Sequence, residues 1–342
     1  MNRYRNKAQA YVIAEIGVNH NGSLDSAIEL IDLAKKSGAD AVKFQTFKAR
    51  DLARVDTPKV DYQVKATGVA ESHFEMLQNL ELSFDDHAAL AAHCKARDIS
   101  FISTPYSVNA VHMLEKLGVA EYKVASADII DIPLLEAIAR TGKPTMLSLG
   151  MANLGEIERA VECFKDYSAE NLVLLHCVSN YPCSDASLNL NVISTLKSIF
   201  KYPVGLSDHS LGHTAACLSL ALGASVVEKH FTSSKTLPGP DHKASSEPAE
   251  FSELVREVRR AEIQLGSPYK AVQLEEVGMA NTSRKSLVYS RSIQKGEVFS
   301  REDFTMMRPG GGLTWQDTVH FIGRHARKDC SSITSADTAD TE

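Results

Sequence analysis

Short apolar runs alternate with amphipathic segments along most of the chain. The run "YVIAEIG" at 11–17 precedes "LDSAIELIDLAKKSGA", where Leu24, Ile28 and Ile31 recur at helical spacing before Gly38. Seven more apolar runs follow, with helical patterns between and after them: "AVKFQTF", "ISFISTP", "EYKVAS", "PTMLSLG", "LVLLHCVS", "PVGLSD" and "SVVEKHF". The amphipathic pattern "PAEFSELVREVRRAEIQLG" closes the series. The pattern therefore predicts eight strands, each followed by a helix.

These runs are apolar on both faces, as strands buried in a parallel sheet must be. Eight strand–helix units over residues 11–265 predict the α/β class and a (β/α)8 TIM barrel. An open doubly wound sheet is the alternative, and the lack of a GxGxxG motif after the first run disfavours it. We predict that the barrel occupies residues 1–266.

A change of pattern after the last helix predicts a second domain. Residues 267–282 carry Gly, Pro and charge with little periodicity, and we predict a linker there. The stretch "RKSLVYSRSIQKGEVFSREDFTMMRPGGGLTW" predicts short strands around glycine turns, in a small β-rich domain at 283–342. The final residues, "SSITSADTADTE", are expected to fray.

Composition bounds the class of protein. With 44% hydrophobic and 23% charged residues, the chain is typical of a soluble globular protein. The net charge of −6 does not favour nucleic acid or an anionic membrane as a partner. A signal peptide and a membrane span are not predicted, and six scattered cysteines without a CxxC pair indicate reduced thiols. We therefore expect a cytoplasmic protein.

Polar residues gather at the carboxyl ends of the predicted strands. They are Glu15, Asn19, His20 and Asn21; Lys43 and Gln45; Ser103 and Thr104; Lys123, Ser126 and Asp128; Ser148; His176 and Ser179; Ser207, Asp208 and His209; and Glu228, Lys229 and His230. Each buried polar group must find a partner or be desolvated at a cost. This density at one end of a barrel favours an active site over the salt bridges of a purely structural interior.

Two kinds of chemistry are suggested by these residues. Lys43 and Lys123, together with nearby hydroxyl groups, suit an anion such as a phosphate or carboxylate. Either lysine could instead form a salt bridge to Glu15 or Asp128.

The histidines of "SDHSLGHTAACLSLALGASVVEKHF" suggest a metal. His209 follows the seventh strand and His230 ends the eighth, so a closed barrel brings them side by side. Two imidazoles with water and substrate oxygens suit Mn²⁺, Co²⁺ or Zn²⁺, and the alternative is a pair of hydrogen-bonded core residues. His213, at the start of the next helix, is expected to lie near a helix cap or at the surface.

Nine motifs together resemble the sialic acid synthase family, the nonulosonic acid synthases. They are "AEIGVNHNGS", "AVKFQTFKA", "FISTPYS", "YKVASAD", "LSLGMA", "LHCVSNYP", "GLSDHS", "EKHFT" and "PGPDH". The segment "RSIQKGEVFSREDFTMMRPGGG" resembles that family's carboxyl-terminal antifreeze-like (SAF) domain. The resemblance implies condensation of phosphoenolpyruvate with an N-acetylated aminosugar, giving a nine-carbon 2-keto acid and phosphate.

The resemblance also implies roles for individual residues. It places metal binding on His209 and His230, with Mn²⁺ expected and Mg²⁺ or Co²⁺ as alternatives, and the essential acidic residue on Glu15. It implies that the remaining substrate contacts are Lys43, Gln45, Thr104, Lys123, Ser126, Asp128, Ser148, Ser179, Tyr181, Ser207, Asp241 and Arg308. Arg308 would reach the sugar's N-acetyl group in the partner subunit, which implies a domain-swapped homodimer.

Departures from the family pattern leave the sugar open. "SAD" replaces the family's "SGE", so Asp128 is one methylene shorter, and the stretch 48–83, expected to form part of a lid, does not carry a clear match to a family asparagine. N-acetylmannosamine, giving N-acetylneuraminate, is our first expectation. Legionaminate or pseudaminate synthesis from a 2,4-diacetamido-2,4,6-trideoxyhexose is the second. A Schiff-base lyase using Lys123, or a degenerate carbohydrate-binding barrel, are the rival classes.

Overall fold

The computed structural model describes residues 9–57, 72–167 and 169–342. The chain divides into two compact units, Met1–Gly266 and Ser267–Glu342. Of the lid predicted at 48–83, residues 58–71 lie outside the described part of the chain.

Eight parallel strands close the first unit into a barrel in the order of the sequence, which confirms the predicted fold class. Each predicted apolar run forms one strand. The strands are β1 (Tyr11–Gly17), β2 (Ala41–Thr46), β3 (Ser100–Pro105), β4 (Tyr122–Val124), β5 (Thr145–Ser148), β6 (Leu172–Cys177), β7 (Val204–Asp208) and β8 (Ala224–His230).

Helices connect these strands, and several begin at side-chain caps. Ser23 caps the first helix by accepting a hydrogen bond from the Ser26 amide, and Ser83 and Asp86 form a capping box. The helices of this unit are Leu24–Lys36, Ala49–Leu52, His73–Asn79, Phe84–Ala96, Val108–Leu117, Ile132–Ala139, Leu154–Glu162, Asp185–Leu188, Val192–Phe200, Thr214–Ala221 and Pro248–Leu265. The predicted lid thus contains helix His73–Asn79.

Strand alternation sorts side chains between the barrel interior and the surrounding helices. The buried interior layer includes Ile13, Met146 and Val226, whereas Val227 packs in the cluster formed with the outer helices. Side chains of β8 at even-numbered positions therefore point inward, and those at odd-numbered positions point outward. This rule places Glu228 and His230 inside the barrel and Lys229 outside it.

The second unit has its own aromatic core. Strands β9 (Ser286–Tyr289) and β10 (Phe304–Met307) pair antiparallel, and helix Val277–Ser283, which begins in the predicted linker, precedes them. The expected fraying of the carboxyl-terminal residues is wrong. Ala336 is buried, and buried Asp340 accepts hydrogen bonds from the Tyr289 hydroxyl at 3.0 Å and pairs with Lys328 at 2.6 Å.

Candidate active site

The carboxyl ends of the barrel strands bring most of the predicted site residues together. Glu15 lies opposite Lys43 on one side and His230 on the other, and Ser207 lies opposite Glu228. The same ends of β2 to β5 carry Gln45, Thr104, Lys123 and Ser148. The loops directly after the strands carry Ser126, Asp128, Ser179, Tyr181 and His209, and the segment after β8 carries Asp241. Arg308 belongs to the second unit.

A buried charge network links two carboxylates and two lysines inside the barrel. The Lys43 Nζ lies 2.5 Å from Glu15 Oε2 and 3.9 Å from Glu228 Oε2. The Lys123 Nζ lies 3.4 Å from Glu228 Oε1, and the Ser207 hydroxyl donates to that same oxygen at 2.8 Å. Lys43 thus forms the salt bridge to Glu15 that we left open, whereas Lys123 pairs with Glu228.

Burial and charge act against each other in this network. Burial alone would raise the pKa of Glu228, but Lys123 and Lys43 hold that pKa at about 2, so the carboxylate is ionised. Burial lowers the pKa of Lys123, whereas Glu15 and Glu228 outweigh burial at Lys43 and raise its pKa. Burial raises the pKa of Glu15 despite the opposing Lys43. Of the two carboxyl groups, Glu15 is therefore the one whose pKa is shifted toward holding a proton.

Hydroxyl groups lie at the same strand ends as the two lysines. Thr104 Oγ1 accepts a hydrogen bond from Lys43 at 3.1 Å, and Ser126 Oγ accepts one from the Gly150 amide at 3.0 Å. The buried Ser148 Oγ has no hydrogen-bond partner within the described part of the chain. Glycine at position 150 allows the loop after β5 to approach Ser126 and Ser179. A Cβ at this position would lie 2.3 Å from Ser179 Oγ and 2.8 Å from Ser126 Oγ. These hydroxyl groups, together with the lysines, form a site suited to an anion.

The two histidines lie side by side, as their positions in the sequence predict. Their ring centroids are 5.4 Å apart, and the Tyr181 ring lies 4.0 Å from His209 and 5.5 Å from His230. His209 Nδ1 lies 2.8 Å from the Val178 carbonyl oxygen. With Nδ1 donating to that oxygen, the neutral ring of His209 presents the Nε2 lone pair to a ligand. Burial favours this neutral ring, but the Cys177 thiol and the Val178 carbonyl outweigh burial and raise the pKa of His209, so a metal would have to displace a proton there.

The chemistry of this pair fits a divalent metal. The Nδ1 atom of His230 is buried without a hydrogen-bond partner among the described residues. Burial, His209 and Lys43 hold the pKa of His230 well below its usual range, so the ring is neutral, as a metal ligand must be. The described residues hold no group of three or more His, Cys, Asp or Glu arranged for a metal. Water and substrate oxygens would therefore have to complete the coordination.

Two aspartates at the rim carry raised pKa values. Burial raises the pKa of Asp128 to about 6, with Asp131 adding to the effect, and its Oδ2 atom has no hydrogen-bond partner in the described residues. Burial likewise raises the pKa of Asp241 to about 6, although His209 and Lys43 oppose it. Gln45 donates to Glu15 Oε1 at 3.2 Å, which orients that carboxyl.

Glu228 is the site residue that sequence reasoning recorded but gave no role. The alternation of β8 was the available signal, because Glu228 shares the inward face with His230. His176, also recorded at a strand end, donates from Nε2 to the Leu188 carbonyl oxygen at 2.6 Å and so belongs to the packing around β6. His213 is the N-cap residue of helix Thr214–Ala221, as expected.

Comparison with known proteins identifies the family of the chain. The NeuB family model matches residues 30–270. The chain is 42% identical over 320 residues to N,N'-diacetyllegionaminic acid synthase of Campylobacter jejuni, covering 93% of this chain and 96% of that protein. It is 41% identical over 329 residues to the enzyme of the same name from Legionella pneumophila, covering 95% and 92%.

A solved structure shows the same likeness in three dimensions. The N-acetylneuraminic acid (sialic acid) synthetase of Leptospira borgpetersenii, in complex with citrate, superposes with a TM-score of 0.70 and 36% identity. The match covers 79% of this chain and 90% of that one. Within the described residues, no helix is both long and apolar enough to span a membrane. The chain belongs to the NeuB family and is a phosphoenolpyruvate-dependent nonulosonic acid synthase, which forms a carbon–carbon bond.

Proposed function

We propose that the chain condenses phosphoenolpyruvate with 2,4-diacetamido-2,4,6-trideoxymannose to form N,N'-diacetyllegionaminic acid and phosphate. One observation carries the choice of sugar. In the same sequence comparison, identity is 42% and 41% to two synthases named for that product, against 35% to a pseudaminic acid synthase and 35% to an N-acetylneuraminate-9-phosphate synthase. N-acetylmannosamine, our first expectation from the sequence, becomes the second candidate.

Phosphoenolpyruvate would bind among the lysines and hydroxyl groups. Lys43 and Lys123 supply positive charge inside the barrel, and Ser148 supplies a hydroxyl that is not otherwise engaged within the described residues. Glu15 and Glu228 fix the two ammonium groups in place before the substrate arrives. Such pre-positioned charges orient the anion and contribute through proximity and electrostatics.

The reaction then follows from this placement. The phosphoenolpyruvate methylene carbon attacks the sugar aldehyde, a carbon–carbon bond forms, and the aldehyde oxygen takes up a proton. A cationic centre develops at carbon 2, and water adds there and loses one proton to give a hydroxyl group. Cleavage of the carbon–oxygen bond to phosphate, with transfer of that hydroxyl proton to the departing phosphate, leaves the 2-keto acid. Glu15 is placed to stabilise that cation or to carry a proton.

His209 and His230 would hold a divalent ion, with Mn²⁺ as our expectation. When bound, the ion supplies Lewis-acid polarisation of a carbonyl oxygen. Tyr181 would restrict the orientation of both rings, because it contacts each of them. Asp128 and Asp241 would face the sugar from the rim, where hydrogen bonds to its hydroxyl and acetamido groups set the choice of substrate.

The experiment measures phosphate release from phosphoenolpyruvate with Mn²⁺ and each of three sugars. They are 2,4-diacetamido-2,4,6-trideoxymannose, its altrose counterpart and N-acetylmannosamine, and a His209→Ala variant serves as the control. We expect the first sugar to give the highest kcat/KM and the variant to lose turnover. A preference for N-acetylmannosamine would support the second candidate, and a preference for the altrose sugar would indicate a pseudaminate synthase.

We further propose that a second copy of the chain completes the site. The resemblance of the second unit to an antifreeze-like domain implies that Arg308 contacts the N-acetyl group of the sugar in a partner's barrel. We expect Arg308→Ala to raise KM for the sugar at least tenfold, because a charge-assisted hydrogen bond is lost, with little change in phosphoenolpyruvate binding. A monomer by light scattering, or lost phosphoenolpyruvate affinity, would contradict this assignment.

A further inference from the structure

The residue before each of the two site histidines is charged and buried. Asp208 precedes His209 at the end of β7, and Lys229 precedes His230 at the end of β8. The two strands are paired so that Asp208 lies opposite Lys229, one step after Ser207 lies opposite Glu228. Because side chains alternate along a strand, Asp208 and Lys229 face away from the barrel interior.

These two residues form a tight ion pair. Lys229 Nζ lies 2.7 Å from Asp208 Oδ2, and the two side chains are 4% and 0% exposed. Lys229 Nζ also donates to the Ser210 carbonyl oxygen at 2.6 Å. The second carboxylate oxygen of Asp208 accepts from the Ser210 amide at 2.9 Å and the Ser210 hydroxyl at 2.7 Å. Both charges are therefore paired and hydrogen-bonded, as burial requires.

The contacts of this pair involve both chain neighbours of His209. Asp208 and Ser210, its two neighbours, are both bonded to Lys229, which itself adjoins His230. The His209 carbonyl oxygen accepts a hydrogen bond from the Cys183 amide at 2.8 Å. The Nδ1 atom of the His209 ring is hydrogen-bonded to the Val178 carbonyl oxygen. In addition to the pairing of β7 with β8, a buried side-chain link on the outer side of the barrel wall thus joins the backbones that carry the two rings.

We propose that Asp208 and Lys229 are positioning residues that hold His209 and His230 at the separation needed to bind one divalent ion. This inference rests on the proposed metal site. Neither side chain faces the substrates, so its effect passes through the backbones of the two histidines. Groups that hydrogen-bond directly to metal ligands commonly change metal affinity by roughly 10- to 100-fold when they are replaced, and we expect the lower end of that range for this pair, which acts through the backbone.

Single replacements separate positioning from simple electrostatics. Asp208→Asn leaves a buried positive charge near the site, whereas Lys229→Gln leaves a buried negative charge. A purely electrostatic role predicts that the first variant weakens binding of a cation and the second strengthens it. A positioning role predicts that both variants weaken binding, because each breaks the same link. The double variant, in which neither charge remains, should also bind weakly.

The experiment titrates the full chain with Mn²⁺ in the absence of substrates and follows the electron paramagnetic resonance signal of free Mn²⁺. Thermal unfolding of each variant is measured in parallel. Arg259→Gln is the matched control, because Arg259 forms a partly buried ion pair with Asp40 at 2.7 Å, away from the histidines. His209→Ala identifies the part of the Mn²⁺ binding that belongs to the proposed site.

We expect Asp208→Asn, Lys229→Gln and the double variant each to raise the Kd for Mn²⁺ about tenfold or more. Arg259→Gln should keep the unsubstituted Kd even where its melting temperature falls equally. Opposite effects of the two single variants, or a Kd within twofold of the unsubstituted protein in the double variant, would overturn the proposal. Mn²⁺ binding by the unsubstituted chain that His209→Ala leaves unchanged would overturn the proposed metal site as well.

Discussion

At the scale of single residues, the site depends on charges that are buried but balanced. Glu228 lies 3.4 Å from Lys123 and 3.9 Å from Lys43 and accepts from Ser207, so its carboxylate is compensated on several sides. An unpaired charge at this depth would cost several kcal/mol in desolvation. Asp128 is different, because its raised pKa reflects burial without a strong cationic partner. Ionisation of Asp128 therefore destabilises the folded protein in the absence of substrate, and a hydrogen-bond donor of the substrate would reduce that cost.

This difference predicts how Asp128→Asn changes stability with pH. The folded pKa of about 6 lies above the ordinary 3.8, so the folded state keeps a proton that the unfolded chain releases between these values. The free energy of unfolding from this group therefore falls as pH rises from about 4 to 6. We expect the variant to gain on the order of 1 kcal/mol at pH 8 and little at pH 4, measured by urea unfolding.

The exposed Asp98 supplies the control for this measurement, since its side chain is fully exposed. Asp98→Asn should change the free energy of unfolding equally little at both pH values. If Asp128→Asn destabilised the protein at pH 8, the carboxylate would have a stabilising partner in the folded state and our interpretation of its burial would be wrong.

At the scale of elements, the pairing of β7 with β8 determines the geometry of the histidines. The register of this pair shifts between Val204 and Leu206, and Gly205 lies at that irregularity. A Cβ at Gly205 would lie 2.7 Å from the Val226 carbonyl oxygen and 2.6 Å from Leu175 Cδ2. The close approach of the two strands therefore requires glycine, and the Ser207–Glu228 and Asp208–Lys229 pairs follow directly after it.

Gly205→Ala should consequently destabilise the barrel. We expect a loss of about 2–3 kcal/mol in the free energy of unfolding, because the added methyl group meets backbone that cannot move without separating β7 from β8. Urea denaturation followed by circular dichroism measures the change. Gly155→Ala is the control, as its nearest neighbouring atom would lie 3.4 Å away within helix Leu154–Glu162. Equal stabilities of the two variants would contradict the packing argument.

At the scale of the whole molecule, each of the two units has a hydrophobic core of its own. The barrel encloses an interior layer and packs its outer face against helices, whereas the second unit surrounds an aromatic group. In that group, the ring of buried Phe321 lies 5.5 Å from Phe299 and 5.2 Å from Phe304. A small unit with few strands depends strongly on such a cluster.

Phe321→Ala should therefore weaken the second unit by about 3–5 kcal/mol. Hydrogen exchange followed by mass spectrometry should show faster exchange in peptides from 286–341, with peptides from the barrel strands unchanged. Val319→Ala is the control, because this side chain in the neighbouring short helix is 69% exposed. Faster exchange throughout the barrel in the Phe321 variant would show that the two cores are not energetically separate.

The sequence alone determined the barrel and the location of its site. Hydrophobic runs of strand length and helical spacing are local patterns, so the eight strands could be located without knowing their partners. Lys43, Lys123, His209 and His230 stand at or near the ends of those runs. Parallel strands in a barrel present their carboxyl ends on one face, so the sequence already placed these residues together.

Only the tertiary structure decided which of these groups are paired. Register and burial decide that Lys123 pairs with Glu228 and that Asp208 pairs with Lys229. They also decide that Asp340 accepts a hydrogen bond from Tyr289 and does not fray. Contacts of this kind join residues far apart in the chain, and a local pattern assigns a side chain to a strand end or face without fixing which other side chain lies within bonding distance. The sequence shows which positions carry an ionisable side chain. The partner of that side chain and its pKa are properties of the closed barrel.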